Sequence, residues 1–234
     1  AWRAVTGTVQ DGAAVPQAGA WVHAVKPDGT YLGRTKTSDR GEFVIHLPSE
    51  PVQLVATQYA QPPSTPKTAL PTDTQASLRL DTVGTLSVTA TDKGSGVALP
   101  VRVQVIPMTP PQAVPRSYGV RDENNGRIIQ EFAVTGSTKL AVPPGKHRVV
   151  VSRGYEWEIL DQTVTIESGK TAEVKAELLH SVDSTGVMCA DFHIHTYHSA
   201  DSSDDVEYKV KGAIADGLEI PVSSEHEYII DFQP

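Results

Sequence analysis

The apolar side chains of this sequence follow a two-residue rhythm, which restricts its fold more than any other feature. Over residues 171–178, Ala172, Val174, Ala176 and Leu178 alternate with Glu173, Lys175 and Glu177. An extended strand with one face in a core and the other in water separates these two sets. The same rhythm runs through Leu86, Val88 and Ala90, and again through Val101, Val103 and Val105. Further strands are expected at residues 3–10, 20–26, 31–37, 42–47, 52–58 and 76–80, parted by Asp11-Gly12, Pro27-Asp28-Gly29 and Asp39-Arg40-Gly41. In such turns glycine admits positive φ and aspartate bonds its own backbone. The proline-rich stretch 61–71 reads as a loop, because Pro62, Pro63 and Pro66 withhold donors from any ladder.

From Thr85 the pattern starts again. Strands are expected at 128–134, 139–142, 148–152, 163–166 and 171–178, with loops at 107–116 and 122–127. Pro143-Pro144-Gly145 and Glu167-Ser168-Gly169-Lys170 read as hairpin corners. No stretch of helical period competes before residue 180, so the chain reads as mainly β, with two tandem antiparallel β-sandwiches at 1–82 and 83–180. Trp2, Trp21 and Trp157 are expected in the cores or between the modules. A hydrophobic content of 39% supports packed cores and argues against disorder. No apolar run is long enough for a membrane-spanning helix. The single cysteine, Cys189, excludes an internal disulfide framework and reads as packing on a strand.

After Leu179 the pattern changes. Residues 187–194 form a mostly apolar run, suited to a strand buried on both faces. Ser203 or Asp204 can cap a helix in which Val206, Val210, Ala213 and Ile214 recur, Gly217 can stop it, and 218–224 is a second short strand. Strand, helix and strand in about 40 residues make one βαβ unit within 181–234.

Chemistry concentrates in this segment. The formal charge of −8 arises wholly from residues 191–234, where 10 acidic side chains face only Lys209 and Lys211. Such an acidic excess argues against nucleic-acid binding. Four of the eight histidines lie here: His193, His195, His198 and His226. His193 and His195 share one strand face, roughly 7 Å apart. Asp201 follows that strand and His226 follows the next, so all four groups gather at the carboxyl ends of parallel strands. Imidazoles with a carboxylate suit a divalent ion, with zinc, manganese and iron all compatible. His198, on the same loop, is a further candidate ligand or substrate contact, whereas His23, His46, His147 and His180 read as structural.

Two resemblances attach to these residues. Gly7-Thr8-Val9, Gly19-Ala20-Trp21-Val22 and the run from Thr37 to Phe43 resemble the carboxypeptidase regulatory-like (transthyretin-like, Ig-like) sandwich family. The second module resembles it more loosely, through Leu99-Pro100-Val101-Arg102-Val103 and Val142-Pro143-Pro144-Gly145. Asp191-Phe192-His193-Ile194-His195-Thr196, Ser199, Asp201-Ser202, Ser223-Ser224-Glu225-His226-Glu227 and Asp231 resemble the first two motifs of the PHP (polymerase and histidinol phosphatase) superfamily. Within it the match is to the CehA/McbA-type metallohydrolases, and the Arg153-Gly154-Tyr155-Glu156 segment fits their preceding sandwich.

That resemblance implies His193, His195, Asp201 and His226 as metal ligands. Glu225 stands where the family has aspartate and would act as an orienting carboxylate. It also implies the start of an α/β barrel truncated at Pro234. The chain would then be an inactive N-terminal fragment of a hydrolase that uses metal-activated water on a small-molecule phosphoester, carbamate, ester or amide. The tandem modules suggest an exported protein, periplasmic or extracellular. The alternative reading is a non-catalytic tandem β-sandwich for adhesion or docking.

Overall fold

The computed structural model describes residues 2–58, 61–109, 115–118, 129–230 and 232. The expected loop at 122–127 and Asp231 lie outside them.

The first seven strands are β1 (Trp2–Gln10), β2 (Trp21–Val25), β3 (Tyr31–Lys36), β4 (Glu42–Pro48), β5 (Val52–Thr57), β6 (Lys67–Ala69) and β7 (Gln75–Arg79). The next seven are β8 (Gly84–Asp92), β9 (Val101–Pro107), β10 (Ile129–Ala133), β11 (Ser137–Val142), β12 (Gly145–Ser152), β13 (Leu160–Ile166) and β14 (Thr171–Leu178). They form two sheet pairs, β4-β1-β7 with β3-β2-β5-β6, and β11-β8-β14 with β10-β9-β12-β13. Each strand of the first pair has its counterpart seven strands later, in the same sheet position. The chain thus contains one topology twice.

Each pair encloses its own core. Val5, Leu47, Leu54 and Leu78 lie in the first, and Leu86, Val103, Val149 and Leu178 in the second, all buried. Burying each such side chain stabilises by about 1.5–3 kcal/mol. The alternation read in the sequence maps directly onto these inner faces.

Three expectations are corrected. The four-stranded sheets are antiparallel as expected, but the three-stranded sheets are mixed, since β7 pairs parallel to β1 and β14 parallel to β8. The last strand of each module enters beside the first, after a crossover from the opposite sheet. For the same reason Pro143-Pro144-Gly145 and the 167–170 turn are not hairpin corners: β11 and β12, like β13 and β14, lie in different sheets. Finally, β6 interrupts the expected 61–71 loop. Its three residues hold no proline, so they can pair with the edge of β5.

The last segment forms β15 (Ala190–Ile194), α1 (Val206–Ala215) and β16 (Ile220–Ser223). β15 and β16 are parallel, so the βαβ unit is present. Its strand is not buried on both faces, because Phe192 and His193 are exposed. Asp205, rather than Ser203 or Asp204, caps α1, accepting from the Tyr208 amide at 2.6 Å. Ala213 and Ala215 are buried, while Ile214 points outward. Trp2 is also exposed, Trp21 lies under the Arg34 guanidinium, and Trp157 packs on the second core beside His180. No helix among the described residues is long and apolar enough to cross a membrane.

α1 lies across the outward face of β9 and β10. The Tyr208 ring meets Phe132 edge-on at 5.0 Å, and Gly212 leaves room for the same phenyl ring. Arg102 pairs with Asp216 at the helix end, and Arg153 donates to the Pro100 and Ile214 carbonyls at 2.8 and 3.1 Å.

In the first module, a Cβ on Gly7 would overlap the Ala76 carbonyl oxygen and the Phe43 ring. Gly7→Ala is therefore expected to destabilise that module by roughly 2–3 kcal/mol. Differential scanning calorimetry would show this as a lowered melting transition, and an unchanged profile would refute the close packing of β1 on β7.

Candidate metal centre

The parallel pairing of β15 with β16 brings their carboxyl ends together. Ala190 lies opposite Ile220 and Ile194 opposite Ser223, and the Ser224 amide donates to the Ile194 carbonyl at 3.0 Å. His195 and His226 therefore leave the sheet side by side, with ring centroids 4.6 Å apart.

The connection after β15 folds back on itself. The Tyr197 amide donates to the Asp204 carbonyl at 2.7 Å, and the Ser202 hydroxyl to the His195 carbonyl at 3.2 Å. This returns Asp201 to the strand ends. Its carboxylate oxygens lie 3.0 and 3.1 Å from His195 Nδ1, and one of them lies 3.2 Å from His226 Nε2. One donor atom from each of His195, Asp201 and His226 falls within 4.8 Å of the others. Hydrogen bonding from His195, then from His226, holds the Asp201 carboxyl below the usual carboxylate range against the opposing effect of burial.

Glu225 organises the cluster without joining it. Its carboxylate accepts from the Thr196 amide at 2.8 Å and the Ser199 hydroxyl at 2.5 Å, and Ser199 Oγ accepts from the His226 amide at 2.9 Å. Burial pushes the Glu225 carboxyl up, but the Ser199 and Thr196 hydrogen bonds together outweigh it and leave it below its ordinary range. The longer arm of glutamate is thus used to clasp the loop. Thr196 and Ser199 are buried and link the ligand-bearing segments. Both belong to the motif resemblance, but sequence reasoning assigns them no role. Short hydroxyl side chains beside the histidines were the available signal.

His193 is near but separate. Its ring centroid lies 4.7 Å from that of His195, yet its donor atoms do not join the converging three. The β15–β16 register shifts between Asp191 and Ile194, and the His193 amide is bonded to the Asp191 carboxylate at 2.9 Å. His198 packs between Tyr197 and Tyr228, at 4.3 and 5.3 Å, outside the converging group. Burial, followed by the nearby Glu156 carboxylate, pushes the Cys189 thiol up, which disfavours its thiolate form.

The cluster faces solvent. The side chains of His226 and Asp201 are 61% and 55% exposed, against 14% for His195. The adjoining open pocket is lined by His193, His195, residues 201–204 and Lys209, whose amine is paired with Asp204 at 2.8 Å.

No family model matches the chain, and no curated protein does. Solved structures align with it at low identity. A streptococcal ancillary pilin is 12% identical, over 75% of this chain and 62% of its own length, with a TM-score of 0.36. The shaft pilin SpaA of Lactobacillus rhamnosus GG is 8% identical, over 78% and 99%, with a TM-score of 0.43. GBS52, the minor pilin of Streptococcus agalactiae, is 12% identical, over 76% and 96%, with a TM-score of 0.37. The chain spans 62% of the streptococcal ancillary pilin and 34% of a further match, the Bacillus anthracis TIE protein.

The expected kinship with CehA/McbA-type PHP metallohydrolases is corrected accordingly. The ancillary, shaft and minor proteins that align with the chain are pilins, and no family model or curated relative stands behind the motif resemblance. The hydrolase assignment and the truncated PHP barrel are withdrawn with it. Among the described residues this segment forms a two-stranded parallel sheet, β15 with β16, and its three converging donors sit on a solvent-facing rim.

Replacing Glu225 with alanine would leave the Thr196 amide and the Ser199 hydroxyl without their acceptor. Glu225→Ala is expected to cost roughly 1–3 kcal/mol locally. Hydrogen exchange would read this as faster exchange at the Thr196 amide, and undiminished protection there would show that Glu225 does not hold the loop.

Proposed function

We propose that this chain is a non-catalytic tandem β-sandwich docking module of three units, 1–82, 83–180 and 181–234, whose third unit holds one divalent cation at His195, Asp201 and His226. The observation that carries the metal reading is the convergence of two imidazoles and one carboxylate from the ends of two strands and the intervening loop. This donor set suits zinc, and also manganese or iron. A bound ion would replace the histidine–aspartate hydrogen bonds and clamp the three segments together, a stabilising role. Support for the docking reading comes from the doubled sandwich topology, which makes up most of the chain, and from the open rim on which the donors sit. An exported location and the absence of a nucleic-acid partner belong to the same proposal, the latter supported by the acidity of residues 191–234.

Equilibrium dialysis against Zn²⁺ followed by elemental analysis should find one ion per chain. His195→Ala and His226→Ala should each weaken binding by roughly tenfold or more, and His193→Ala far less. Equal losses from all three variants would overturn the three-donor site. Zinc- or manganese-dependent turnover of p-nitrophenyl phosphate or an aryl carbamate, abolished by His195→Ala, would overturn the non-catalytic reading.

A further inference from the structure

The outward face of the β3-β2-β5-β6 sheet should be wet, yet part of it is buried. Val22 and Ala24 of β2 face the core, so His23 and Val25 face outward, as do Val55 and Thr57 of the neighbouring β5. All four outward side chains are nonetheless buried. Tyr118, in the short 3₁₀ turn Arg116–Tyr118 between β9 and β10 of the other sandwich, supplies part of the cover. Its ring stacks on the His23 imidazole at 4.5 Å with 22° between planes, and on Tyr31 at 5.5 Å. Its carbonyl oxygen accepts from the Tyr31 hydroxyl at 3.4 Å and from Arg34 Nη1 at 3.1 Å. Below the stack, His23 Nε2 lies 2.9 Å from Thr57 Oγ1, and Nδ1 lies 3.2 Å from the Tyr31 hydroxyl.

We infer that His23 and Tyr118 form an acid-released latch, which holds the two sandwiches in one arrangement while the imidazole is neutral and lets them part when it is protonated. The inference is independent of the metal reading, since the latch lies in the sandwiches. Among the described residues, the titratable or charged groups facing His23 are Tyr31 and Arg34 on β3 and Tyr118 on the turn; β5 presents Val55 and Thr57. None of these is an anion able to neutralise an imidazolium, and Arg34 opposes it. Burial, and then the Arg34 charge, lowers the pKa of His23 from 6.5 to about 4.

The sign follows from linkage. The latched state disfavours the proton and the released state accepts it near the ordinary value, so latching is strongest above about pH 6.5 and weakens as pH falls towards 4. At pH 4.5 the equilibrium should move towards release by roughly 60-fold relative to pH 7.

Small-angle X-ray scattering on the full chain at pH 7.5 and 4.5, with far-ultraviolet circular dichroism on the same samples, tests the latch. Wild-type protein is expected to show a larger radius of gyration at pH 4.5 with its β-sheet signal intact. His23→Phe, which keeps an aromatic ring but takes no proton, should keep its neutral dimensions at both pH values. Tyr118→Ala, a substitution in the turn that leaves His23 and its sheet intact, should be expanded at both. Unchanged wild-type dimensions, equal expansion of His23→Phe, pH-dependent expansion persisting in Tyr118→Ala, or loss of the β-sheet signal at pH 4.5 would each overturn the inference.

Discussion

Phe132 projects from the outward face of the second sandwich into the space left by Gly212 and against the edge of Tyr208. With the Arg102–Asp216 pair and the Arg153 bonds to two carbonyls, this contact determines where α1 lies. A βαβ unit of this size exposes two strand edges and has little core of its own. Its helix therefore borrows a packing surface from β9 and β10. The strands that carry the histidines are positioned through that helix, so the candidate metal centre rests on a neighbouring sandwich, none of whose described residues joins the converging donors.

The same logic appears in the first sandwich. Its equivalent four-stranded sheet is also covered on the outward face, there by a turn rather than a helix. Inner faces of both modules are mostly aliphatic, with Phe43 the aromatic exception in the first. Outer faces differ, with His23, Val55 and Thr57 in one and Arg102, Gln130 and Phe132 in the other. Repetition accounts for the cores, and divergence on the outer faces accounts for the individual contacts.

Within the candidate site, polar satisfaction and ion binding are carried by different residues. Glu225, Thr196 and Ser199 pair with one another and with the His226 backbone, which shapes the rim whether or not an ion is present. The side chains of His195, Asp201 and His226 are joined by mutual hydrogen bonds that a cation can replace. The first set confers order, and the second offers chemistry.

Much of this was legible in the sequence where the determinant is local. Alternation over residues 171–178 marks β14 and its inner face, because side-chain direction in a strand follows from position alone. The span from His195 to His226 suits a loop, a helix and a strand, which brings two parallel strand ends together. The N-cap was less legible, since Ser203, Asp204 and Asp205 are all competent and only the backbone path selects the last. Other features depend on partners distant in the chain. The parallel pairing of β1 with β7 and of β8 with β14, the separation of His193 from the converging donors, the clasp formed by Glu225 and the burial of His23 under Tyr118 each join segments that no local pattern links. The sequence by itself determined most of the strands, the apolar faces of the sandwich strands, and where the histidines and carboxylates concentrate. Tertiary structure alone decided which strands adjoin, which donors converge and which outward faces are covered, because these depend on packing between segments far apart along the chain.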